Sequence, residues 1–140
     1  ADLTIDRRLL GQIIFSDIQQ RTLLESIIHP EVLRLLLKEA KQAEKAGKKV
    51  FAEVPLLYEV GWERFMEEVW VVHLRPDIQL QRLMERAGVA KEEALQRMAS
   101  QMSLEEKVQR AEKVIDNNGS LEETLRQVDD LWEKLAWSLS

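Results

Sequence analysis

The chain has 140 residues, enough for one domain, and its 45% hydrophobic and 32% charged residues exclude a disordered polymer. A net charge of −5 argues against a general nucleic-acid binder, which needs a basic surface to neutralise phosphates. There is no cysteine, which removes disulfides, thiolate catalysis and Cys-based zinc sites and fits a reducing, cytoplasmic setting.

The first residues, Ala1-Asp2-Leu3-Thr4, have none of the features of a signal peptide and read as the interior of a longer protein. The longest apolar runs, at 35–37 and 69–72, fall far short of the roughly 20 residues of a membrane span. Leu9, Leu10, Ile13 and Ile14 form one helical stripe. Asp17, with Gln20 three residues on, is predicted to cap a second helix carrying Leu23, Leu24, Ile27 and Ile28. His29-Pro30 is predicted to break that helix, with Pro30 in the first turn of a third that carries Val32, Leu33, Leu36 and Leu37. Gly47 is placed at its end.

Residues 50–54 are short, apolar and β-prone, and Pro55 stops them, so a strand is predicted there. A short helix is expected over 62–67. The unbroken apolar run from Val69 to Leu74 predicts a strand buried on both faces, as in a parallel sheet covered by helices. Pro76 opens a helix that Gly88 ends, and a further helix is predicted over 91–102. Ser103 with Glu106, and Ser120 with Glu123, are capping-box patterns that open two more. Between them lie a strand at 113–116 and the turn Asn117-Asn118-Gly119. Strands separated by helices predict an α/β fold with a parallel sheet, whose ligands sit at the carboxyl ends of the strands.

The phosphate-cradling motif G-x-x-x-x-G-K-[ST] is absent. The one Gly-Lys pair, Gly47-Lys48, has Gln42 where the first glycine belongs and Lys49 where Ser or Thr belongs. Two other features carry candidate chemistry. In the run Glu53-Val54-Pro55-Leu56-Leu57-Tyr58-Glu59 carboxylates stand at a strand's end, within reach of a ligand or its magnesium; the alternative is a polar strand end with an apolar loop. Residues 75–113 hold eight basic and seven acidic side chains, so this segment is net positive in a negative chain. Arg82 and Arg86 share a helix face, which suits either a phosphoryl clamp on a flap or a plain solvated face.

Taken together, the segments resemble dephospho-coenzyme A kinases. The residues that carry the likeness are Ile5-Asp6-Arg7-Arg8-Leu9-Leu10 with Ile14-Phe15-Ser16-Asp17, Leu24-Glu25 with Ile28-His29-Pro30, and Val54-Pro55-Leu56-Leu57-Tyr58-Glu59. Further on come Val71-Val72 with Gln79-Leu80-Gln81-Arg82-Leu83-Met84-Glu85-Arg86, then Arg97-Met98-Ala99-Ser100-Gln101, then Val114-Ile115-Asp116-Asn117-Asn118-Gly119-Ser120. The resemblance runs from about residue 4 to 135, and its specificity lies in the order of six segments rather than in any one.

The resemblance implies a P-loop kinase-like, three-layer αβα fold with a parallel sheet, a helical substrate domain and a helical lid, the front of the sheet missing. It implies transfer of the ATP γ-phosphoryl group to the ribose 3′-hydroxyl of dephospho-coenzyme A, the last step of coenzyme A synthesis, with Mg²⁺. Residues 4–46 would be the substrate side, 48–75 and 111–140 the sheet core, and 77–110 the lid. Arg8, His29, Pro55, Leu56, Leu57 and Glu59 would serve the acceptor, Arg82, Arg86 and Arg97 the phosphates, and Asn117 and Gly119 the adenine. The family's phosphate loop and the aspartate expected as general base would lie upstream of residue 4, so no catalytic residue is expected in these residues. The family usually has an acidic residue after Arg86, where this chain has Ala87. Two alternatives are another small-molecule P-loop kinase, and a binding or assembly module that keeps the fold without catalysis.

Overall fold

The computed structural model describes residues 4–137, without the side chains of Arg7, Arg8, Gln12, Phe15, Ala136 and Trp137. The chain divides into two compact units, residues 1–53 and 54–140.

The first unit is a helical pair. Helix α1 spans Arg7–Ser16 and packs on α2, Ile18–Lys45. Asp17 separates them because its carboxylate accepts the N–H groups of Gln19 and Gln20, two donors that the first turn of α2 leaves unpaired. At the other end Gly47 takes φ of 66°, and the N–H groups of Gly47 and Lys48 return to the carbonyls of Glu44 and Ala43 at 2.9 Å. This crossed pair closes the helix and needs a residue that adopts positive φ without strain. Pro30 lies inside α2 and does not open a new helix. Its missing N–H removes one rung of the ladder, at the carbonyl of the exposed Ser26, which water can serve; the turns on both sides carry the helix through.

The second unit holds a two-stranded parallel sheet. β1, Trp70–His73, pairs with β2, Lys113–Asp116, in the register Trp70↔Lys113 through His73↔Asp116. Between them run α3, Pro76–Ala87, α4, Lys91–Ala99, and α5, Leu104–Arg110; α6, Leu121–Trp137, follows β2. Gly88, at φ of 62°, ends α3; α4 packs back on α3, and its Ala94 is fully buried. Both predicted capping boxes form, Ser103 with Glu106 and Ser120 with Glu123. The predicted helices over 62–67 and 91–102 shorten to a 3₁₀ turn at Glu63–Phe65 and to α4.

The core gathers Tyr58, Val69 and Val71, with Leu57, Met66, Met102, Leu104, Val108 and Ala111 packed around them. Helix α5 thereby lies on β1, and α6 packs on β2. Burial of β1 on both faces is only partly realised: Val71 is buried, while Val72 is 49% exposed. The strand predicted over 50–54 does not form, and Val50 and Phe51 are exposed. β-propensity describes a fit to a ladder, and among the described residues β1 pairs with β2 alone. Among these residues no helix is long and apolar enough to cross a membrane.

Candidate functional site

The site is built on the carboxyl ends of β1 and β2, and Asn118 ties the two together. Its Oδ1 accepts the N–H of Arg75 at 2.7 Å, just past β1. Its own N–H and its Nδ2 both donate to Asp116 Oδ1, at 2.9 and 2.5 Å, at the end of β2. The Asn118 backbone N–H first, and then its side-chain amide, hold the Asp116 carboxyl below the usual carboxylate range. The N–H of Asn117 continues the ladder to His73 O at 2.9 Å.

Arg82 reaches this junction from α3. Its Nη1 donates to the Asn117 carbonyl at 3.2 Å, so one cation of the positive segment stands where α/β sheets bind ligands. Arg86, one turn on, is exposed. Arg97 turns to its own helix and pairs with Glu93 at 2.6 Å. Gly119 lines an open groove of about 580 Å³ with Asp116, Glu123, Arg126, Gln127 and Asp130. The Asn117 side chain accepts from the Thr124 hydroxyl at 3.0 Å.

The 55–59 loop lies on the same unit. Pro55 is exposed, Leu56 is half-buried, and Leu57 joins the core cluster. Glu59 Oε1 accepts the Met102 N–H at 2.8 Å and pairs with Lys107 Nζ at 2.9 Å. Burial pushes the Glu59 carboxyl up, but the bonds from Lys107 and from backbone N–H groups outweigh it and leave it below its ordinary value. Lys107, only 8% exposed, also donates to the Pro55 carbonyl at 2.9 Å. Next to this pair Arg110 stacks over the Tyr58 ring at 4.4 Å and binds Glu63 Oε1 at 2.5 Å. Burial, and then the Glu112 carboxylate, push the Tyr58 hydroxyl up. Of the acceptor candidates in the first unit, His29 is half-buried within α2, and the side chain of Arg8 lies outside the described residues.

Two residues escaped the sequence reading. Lys107 counts there as one of eight cations, yet it stands at the i+3 position of the stripe Leu104, Val108, Ala111, the buried face of α5. A charge on an apolar stripe was the available sign. Asn118 reads as a plain turn residue and gives no local sign that its amide joins two strands.

The dephospho-CoA kinase family model matches residues 1–123. A dephospho-CoA kinase of Symbiobacterium thermophilum is 46% identical over 132 residues, covering 94% of this chain and 55% of the relative. Among solved structures, one from Thermus thermophilus superposes with a TM-score of 0.75 at 38% identity, covering 96% of this chain and 70% of that one. The dephospho-CoA kinase of Campylobacter jejuni superposes with a TM-score of 0.72 at 28% identity, over 98% of this chain and 68% of its own. The chain thus spans just over half the length of the Symbiobacterium relative. Its mixed α/β architecture with a small parallel sheet is that of these P-loop kinase-fold neighbours. On the family match and these likenesses together, the chain belongs to the dephospho-CoA kinase family.

Proposed function

We propose that the protein to which these residues belong transfers the γ-phosphoryl group of ATP to the ribose 3′-hydroxyl of dephospho-coenzyme A. In this reading residues 4–46 form the acceptor-side helices, with Arg8 and His29, and 77–110 form the lid, in which α3 and α4 are a flap. Pro55, Leu56 and Leu57 face the acceptor and Glu59 borders it. Arg82, Arg86 and Arg97 serve the phosphates, and Asn117 and Gly119 the adenine. The observation that carries the reading is the bond from Arg82 to the Asn117 carbonyl, which brings a flap cation to the ends of both strands. Phosphoryl transfer asks a protein chiefly for positioning and for positive charge at the transferring group, and this arrangement offers both.

Mg²⁺ would arrive with the ATP phosphates. The phosphates and water would supply most of its ligands, with at most one or two carboxylates from the protein.

The test is direct. Protein expressed from the complete reading frame, given Mg-ATP and a panel of acceptors at matched concentration, is expected to phosphorylate dephospho-coenzyme A at the 3′-hydroxyl. Absence of that product, or preference for another acceptor, sinks the assignment.

A further inference from the structure

The α3–α4 flap has two roots, Arg75 before it and Met102 after it. Each root presents a backbone N–H, and each is caught by a side chain 43 residues away: Asn118 Oδ1 takes that of Arg75 at 2.7 Å, and Glu59 Oε1 takes that of Met102 at 2.8 Å. The second root is braced further. The same Glu59 oxygen pairs with Lys107, and Lys107 donates onward to the Pro55 carbonyl. A single ammonium, nearly removed from water, therefore ties Met102, α5 and the 55–59 loop into one body. Arg110 repeats the link one turn on, from α5 to Tyr58 and Glu63.

We infer that Glu59 and Lys107 are positioning residues that fix the second root of the flap against the 55–59 loop, and so set the spacing between the phosphate-facing flap and the acceptor, without touching either substrate. This rests on the kinase reading above. Glu59 spends Oε1 on Lys107 and on Met102, which suits a brace better than a substrate ligand. A misplaced root disturbs geometry at the transferring group more than ground-state binding of the acceptor, so the defect belongs in kcat.

The experiment compares wild type, Glu59→Gln, Lys107→Met and Lys107→Arg, each in protein from the complete reading frame, by steady-state kinetics and amide hydrogen exchange. Lys107→Met is expected to lower kcat about tenfold with the dephospho-coenzyme A KM within about twofold, and to speed exchange at 56–59 and 102 together. Lys107→Arg keeps the charge and is expected to restore most of kcat. Glu59→Gln keeps an acceptor for Met102 and is expected to slow turnover while leaving exchange at Met102 near wild type. A dephospho-coenzyme A KM raised about tenfold in Glu59→Gln at unchanged kcat would make Glu59 an acceptor ligand and overturn the inference. Unchanged kcat and exchange in Lys107→Met would overturn it too. If the protein phosphorylates no dephospho-coenzyme A, the kinase reading fails, and the exchange arm alone still decides whether the brace exists. If Lys107→Met does not fold, Lys107→Arg and Glu59→Gln carry the same comparison.

Discussion

At the scale of single residues, Lys107 is the buried charged side chain among the described residues. Its partner Glu59 is only partly covered, with 21% of the side chain exposed, so removing Lys107 leaves a carboxylate without its cation but within reach of water. Lys107→Met is therefore expected to cost about 1–2 kcal/mol in urea unfolding near neutral pH, although methionine fills a similar volume. The pH dependence follows from Glu59, whose folded pKa lies below its unfolded value. Its contribution is present above the ordinary carboxylate range and is lost as pH falls through the depressed value. The difference in stability between wild type and Lys107→Met should therefore shrink on acidification below about pH 4. A difference that stays constant to pH 2.5 or so would show that the pair contributes no linked stability. This pair was half legible in the sequence. Glu59 stood out because it follows Pro55 at an expected strand end, whereas Lys107 was lost in a charge count. Its partners lie 52 and 48 positions away, and local pattern carries no sign of them.

At the scale of elements, the devices that act within one turn were the readable ones. Asp17, Gly47, Gly88 and the two capping boxes all stand where local rules put them, because a cap satisfies donors or acceptors only a few residues away. Gly88→Ala, forced to φ of 62°, is expected to lower stability by about 1 kcal/mol, read from the unfolding midpoint, since nothing within 4 Å of the new Cβ adds a steric term. Pro30 and residues 50–54 were misread for one common reason. Local propensity does not show whether a helix has enough turns beyond a proline to carry on through it, nor whether a β-prone segment finds a strand to pair with. Pro30→Ala restores a rung to α2 and is expected to raise thermal stability, by about 1 kcal/mol at the midpoint. No change would mean that α2 already accommodates the gap at no cost.

At the scale of the whole molecule, family membership was carried by the order of short segments rather than by any one site. The sheet core and flap became visible as a unit only through Asn118, Arg82, Glu59 and Lys107, which join segments far apart in sequence. The 140-residue chain contains no G-x-x-x-x-G-K-[ST] motif. Purified by itself it is expected to bind ATP weakly and to show no turnover with dephospho-coenzyme A. Steady-state product formation by this chain would overturn that expectation and move the phosphate cradle onto residues described here.

The parallel pairing of β1 with β2 has a consequence for how the protein is made and how it can be altered. Everything between the strands is an excursion, and its α3–α4 flap is fastened at Arg75 and Met102. The sheet cannot close until that excursion is traversed, so strand pairing should be a late step of folding rather than a nucleus. Once closed, the entropy of the excursion depends only weakly on its length: doubling it costs about 0.6 kcal/mol. The turn at Gly88, exposed and remote from both fastenings, is thus a position where a foreign loop or a small reporter domain can be spliced in with the sheet left intact.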